Sequence, residues 1–138
     1  MQALNIWEQR LPGTHPQLAH VYNKIGVMYG HERNPEKELE YLLKALRIWE
    51  QPLPEYTPMK AIVYGNIAST LIQLKQFEEA ARYSHLSSQY AAMVAPESDT
   101  AREFYLSLSQ AMDILATHLE NEDDTTAFLT DVVGPLLS

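Results

Sequence analysis

Five histidines, at positions 15, 20, 31, 85 and 118, are the side chains in this sequence best suited to hold a transition metal. Zinc needs three or four ligands converging on one point, often two of them at i and i+4 on one helix. His15, His20 and His31 make no such pair with a third ligand, and no HExxH run occurs. On one helix, His20 and His31 would stand about three turns apart, too far to share an ion. They read as surface or groove histidines, and no metal is expected. The acidic run Glu120-Asn121-Glu122-Asp123-Asp124 offers oxygen ligands. It lacks the alternating ligands, central glycine and closing glutamate of a calcium loop, so it reads as solvated.

Catalysis would call for a nucleophile beside a base, a glycine-rich phosphate loop, or two carboxylates in unlike surroundings. The glycines at 13, 26, 30, 65 and 134 form no phosphate cradle, and GxSxG is absent. There is no cysteine, which removes thiolate nucleophiles, disulfides and thiolate-bound metals and agrees with a reducing compartment. No enzymatic activity and no cofactor is expected.

The partner classes narrow further by charge. Eighteen acids against ten bases leave a net charge of −8, and the bases are scattered. Nucleic-acid binders neutralise phosphates with clustered Lys and Arg, so neither nucleic acid nor an anionic membrane is expected. No apolar run approaches the roughly 20 residues needed to cross a bilayer. The opening MQALNIWEQRLPG has no basic start followed by an apolar core, so no secretory leader is expected and a cytoplasmic location is.

The elements that must position any site come from a duplication. Shifted by 42 residues, the chain overlays itself: ALNIWEQRLP at 3–12 returns as ALRIWEQPLP at 45–54, and 3–44 against 45–86 gives 15 identities without a gap. Each unit reads as two helices. Pro16 and Pro58 suit a first helical turn, where the missing N–H would have been unpaired, with Thr14 or His15, and Thr57, as candidate N-caps. Leu18, Val21, Tyr22, Ile25, Met28 and Tyr29 recur at spacings of three and four, the period of a one-sided helix. Asn34-Pro35 interrupts, and Leu39, Leu42, Leu43, Leu46 and Trp49 mark the partner helix, stopped by Pro52 and Pro54. In the second unit, helices are predicted over Ile62–Leu74 and from Phe77 to about Met93, closed by Ala95-Pro96.

A degenerate third unit follows. Ser98 or Asp99 can cap a helix to about Leu119, with Phe104, Tyr105, Leu108, Met112, Leu115 and Leu119 on its apolar side. A short last helix is expected over Thr125–Val133, ended by Gly134-Pro135. Tyr22, Tyr29, Tyr41, Tyr64 and Tyr83 fall at packing positions, and Trp7 and Trp49 are equivalent under the shift, so these rings are expected in the core.

The segment from His15-Pro16 through Tyr22-Asn23-Lys24-Ile25-Gly26-Val27-Met28-Tyr29 resembles the tetratricopeptide repeat, in the 42-residue variety of kinesin light chains. The resemblance covers residues 3–95 well and 98–119 loosely. The family's small residue of the first helix falls on Gly26 and Ala68. Its second-helix alanines fall on Glu38 and Ala80, then on Ala45 and Ser87, and its turn glycine is replaced by Arg33 and Lys75. The likeness implies an all-α fold: antiparallel helical hairpins stacked into a right-handed superhelix, an alpha-alpha solenoid. The organisation expected is one domain, 1–138, with a partial preceding helix at 1–13, repeats at 14–54 and 55–96, and a degenerate repeat with C-terminal cap at 97–138.

In that family the first helices line a concave groove that grips a peptide or short helix. By the resemblance the groove positions are His20, Asn23, Val27, Gly30 and His31, then Ile62, Gly65, Asn66, Ser69, Ile72 and Gln73, then Glu103, Leu106, Gln110, Asp113 and Ile114. Asn23 and Asn66 carry specific chemistry, because a carboxamide both donates to and accepts from the backbone of an extended ligand. Lys24 alone offers a basic contact, so a clamp for a C-terminal carboxylate is not expected. The expected function is a non-catalytic protein-protein interaction module, an adaptor or scaffold. Two alternatives stand beside it. One is a homo-oligomerising segment, since residues 3–10 match half a second helix without its first; either the chain opens inside a longer array or a second copy covers that face as a homodimer. The other is a peptide-sensing regulatory domain.

Overall fold

A computed structural model describes residues 15–94, 98–120 and 134–137. Among the described residues there are six α-helices and no strand: α1 (Pro16–His31), α2 (Pro35–Trp49), α3 (Thr57–Gln73), α4 (Phe77–Met93), α5 (Asp99–Glu120) and α6 (Gly134–Leu137), with a 3₁₀ turn at Pro54–Tyr56. The expected half-helix at 3–10 with Trp7, the loop at 121–124 and the helix at 125–133 lie outside the described residues.

The helices begin and end for local reasons. His15 caps α1 through its Nδ1, which accepts the Gln17 N–H at 3.1 Å, and Asn34 caps α2 by accepting the Lys37 N–H at 3.3 Å. Ser98 does the same for α5, taking the Ala101 N–H at 3.1 Å. Thr57 is not a cap: the 3₁₀ turn runs into α3, whose N-cap position is Tyr56 with no side-chain bond. The C-terminal ends of α1 and α3 share one device. Arg33 and Lys75 stand in the left-handed region at φ 59° and 61°. Around them the Asn34 and Gln76 amides reach back to the Tyr29 and Leu71 carbonyls, both at 2.9 Å, closing Schellman motifs. These are the two positions where the family's turn glycine is missing. The backbone keeps the glycine conformation without the glycine.

Consecutive helices pack as antiparallel neighbours, α1 on α2, α2 on α3, α3 on α4 and α4 on α5, which makes the architecture an alpha-alpha solenoid. The 42-residue shift survives in three dimensions. Tyr22–Tyr41 centroids lie 6.2 Å apart at 41°, and their counterparts Tyr64–Tyr83 lie 5.9 Å apart at 40°. Ile25 and Ile67 are both buried. Burial first, then the Glu50 charge, pushes the Tyr64 hydroxyl up to about 12. Trp49 closes the seam between units, edge-on to Tyr56 at 5.0 Å.

Where the repeats differ, they differ in compensated pairs. A β-carbon on Gly26 would lie 3.1 Å from Leu42, so the first hairpin sets glycine against leucine. The equivalent residues in the second hairpin are Ala68 and Ser84, both fully buried. Ser87, at a family alanine position, is also fully buried, and its hydroxyl donates to the Ala61 carbonyl at 2.7 Å, tying α4 to α3. On the other side of α4, the Ser88 hydroxyl donates to the Asp113 carboxylate of α5 at 2.6 Å. Gly134-Pro135, read from sequence as a helix stop, is itself helical, within α6.

Candidate functional site: the face of the leading helices

In the solenoid, α2 and α4 are the second helices of their hairpins, and α1, α3 and α5 are the leading ones. Residues on the leading helices turned away from α2 and α4 make the surface that the sequence nominated. The ten residues named for it divide by exposure. His20, His31, Gln73 and Gln110 are exposed; Asn23, Val27, Ile62 and Ser69 are half-buried; Asn66 and Ile72 are buried, at 7% and 6% exposure.

The two carboxamides are not ordinary solvated surface residues. The Oδ1 atom of Asn23 and the Nδ2 atom of Asn66 are both shielded from solvent, and neither meets a hydrogen-bond partner among the described residues. An unsatisfied buried amide costs about 1–3 kcal/mol relative to a paired one. The Thr70 hydroxyl, fully buried, donates to the Asn66 backbone carbonyl at 2.9 Å. Thus Asn66 is held by its backbone while its donor stays open.

Other nominated positions are committed elsewhere. The His20 ring is edge-on to Trp49 at 4.9 Å, so it rests on the end of α2. Gly30 does not line an open wall, because the Glu38 carboxylate occupies the space beside it. Asp113 is bonded to Ser88 of α4. Gly65 is buried. Leu106 and Ile114 are exposed on α5.

Glu38 is a residue whose consequence the sequence did not foresee. It stands at a family alanine position, half-buried, with its Oε1 unpartnered. Burial raises its carboxyl above the usual carboxylate range, while the Thr70 hydroxyl and the charge on His31 work against that rise. The signal was present as an acid in a slot for a small residue, facing Gly30, the penultimate residue of α1.

A cleft of about 630 Å³ lies apart from this face, lined by Pro54, Glu55, Thr57, Pro58, Met93, Val94, Ala101 and Tyr105. It holds none of the nominated residues. It forms where the linker between repeats meets the end of α4, with Met93 66% exposed beside it. Among the described residues no group of three metal-ligating side chains occurs, and no described helix is long and apolar enough to cross a membrane.

Stacked antiparallel helical hairpins, repeating every 42 residues with a small residue at each close helix contact, define a helical-repeat protein of the solenoid class. Two family models, both described as Tetratricopeptide repeat, match residues 18–51 and 61–84. Over those residues the chain carries tetratricopeptide repeats, which generally serve as protein-protein interaction modules. No curated protein and no solved structure gives a significant match.

Proposed function

We propose that the face formed by α1 and α3 binds a peptide or helical segment of a partner protein, and that the chain works as a non-catalytic adaptor or scaffold. The observation that carries this reading is Asn66: more than nine-tenths buried, with an amide donor that nothing among the described residues satisfies. A partner's carbonyl would relieve that cost, and Asn23 offers the complementary acceptor on the neighbouring leading helix α1. Val27 and Ile62, both half-buried, supply apolar surface beside the amides, with Ile72 buried beneath, which suits a ligand with one or two apolar anchors. Residence in the cytoplasm and the narrower kinship with kinesin-light-chain repeats belong to the same proposal.

The test is affinity capture from lysate with the wild type and with Asn66→Ala plus Val27→Asp, followed by titration of any partner found. Ile72 is too buried for a charge there to leave the fold intact. A partner whose affinity survives the double substitution removes the reading. A partner lost instead through Met93→Asp sits in the linker cleft. Sedimentation separates the homodimer alternative: a monomer at tens of micromolar removes it.

A further inference from the structure

The surface opposite α4 is not empty. Helix α4 packs on both α3 and α5, and α6 also makes its main contacts with α3 and α5. Two leading helices flanked by the same second helix leave one other shared side, which adjoins through α3 the α1–α3 face assigned above to the partner. Leu136 of α6 is half-buried and packs against the hydrophobic core, while Pro135 remains exposed. The segment Gly134-Pro135-Leu136-Leu137 carries no charged side chain, and it reaches α3, the helix that also holds Asn66 and Ile72.

We infer that α6 is a built-in occupant of the leading-helix face, and that the ligand chemistry of this face is an uncharged leucine-bearing turn like its own. The inference rests on the reading of that face as a peptide site and names the peptide class. It also sets a condition on binding: a partner segment must displace α6. An intramolecular segment competes at an effective concentration in the millimolar range when its tether allows it to reach. Weak individual contacts therefore suffice to hold the turn in place. Partner affinity is scaled by the fraction of chains whose face is free.

The probe is a fluorescein-labelled peptide of sequence VGPLLS, titrated by anisotropy against the full chain and against Leu136→Asp, each checked for helicity. A second variant that ends at Val133 covers the case in which Leu136→Asp does not fold. The peptide is expected to bind the variants, to bind the wild type about tenfold more weakly if its own turn is seated some nine-tenths of the time, and to lose binding when its first leucine is replaced by aspartate. Equal binding to wild type and variants overturns the inference, and so does binding to none of them. Neither result decides the peptide-site reading, which stands or falls on the capture experiment with Asn66→Ala and Val27→Asp.

Discussion

The carboxylate of Glu38 fills the space that a side chain on Gly30 would take: a β-carbon built there would lie 2.8 Å from the Glu38 Cδ. One unit carries an acid where the family has alanine, and the glycine across the hairpin makes room for it. The two residues are coupled, and mutating either alone misreports its own contribution. Gly30→Ala should bring the usual helix gain of about 0.5–1 kcal/mol only when Glu38 is already alanine. In the wild-type background the displaced carboxylate should erase that gain. A double-mutant cycle by urea denaturation checks this, and additive effects would disprove the coupling.

Glu38 also sets a pH dependence. Its folded carboxyl titrates above its ordinary value of 4.5 because burial penalises the charge. A raised pKa means that the folded state binds this proton more tightly than the unfolded chain, so its contribution is present below the ordinary value and is lost as pH rises through the folded one. Glu38→Gln should therefore be more stable than wild type at pH 7, with the advantage vanishing at pH 4 and below. Thermal melts across that range, compared with Glu40→Gln as an exposed control, provide the measurement.

Arg33 and Lys75 hold left-handed backbone at the turns after α1 and α3. That region costs a side-chain-bearing residue about 1–2 kcal/mol and glycine nothing comparable. Arg33→Gly and Lys75→Gly should each raise stability by up to about 1 kcal/mol, the greater entropy of an unfolded glycine taking back part of the gain. Chemical denaturation gives the answer, and a loss of stability at both sites would contradict the capping geometry.

Asn66 should separate folding from function. Its side-chain donor is buried without a partner among the described residues, so Asn66→Ala removes an unpaired donor rather than a donated bond. Stability should hold or rise by up to about 1 kcal/mol, the small cavity offsetting part of the relieved cost, while partner affinity falls roughly tenfold or more. A large loss of stability would mean that the amide has a structural role.

Ser87 should behave in the opposite way. Its hydroxyl is fully buried and bonded to the Ala61 carbonyl of the neighbouring helix. Ser87→Ala restores the family residue yet should cost about 1 kcal/mol, the net worth of one buried hydrogen bond. Partner affinity should not move.

Much of the fold was legible because it is written twice. The repeat of ALxIWEQxLP and of the Val-Tyr and Ile positions predicts paired helices, and under the same shift α1 and α3 end, and α2 and α4 begin, at equivalent residues, while α3 starts one residue earlier and α4 ends two residues later than their counterparts. Periodicity located the helices but not their junctions. The 3₁₀ turn at Pro54–Tyr56 starts α3 earlier than its apolar pattern does, because Thr57 to Ala61 pack through small and mixed side chains. The site was legible only as a face. Periodicity says that Asn23, Gly30 and Asp113 lie on leading helices, but not that Gly30 meets Glu38 or that Asp113 meets Ser88. Those pairings depend on contacts across helices, which the spacing within one helix does not encode. The docking of α6 was likewise invisible, since a Gly-Pro pair reads equally as an end or a beginning.

The exchange of Gly26 and Leu42 for Ala68 and Ser84 bears on how a duplicated chain avoids confusing its own halves. Hairpins that share a sequence pattern and a packing scheme invite swapped assembly, in which α1 of one copy docks on α4 of another. Here the wrong partnering is penalised both ways. Glycine opposite serine leaves a void, and alanine opposite leucine crowds. Each hairpin thus carries a private fit, and the neighbouring copy of the sequence is a poor substitute for its own other half.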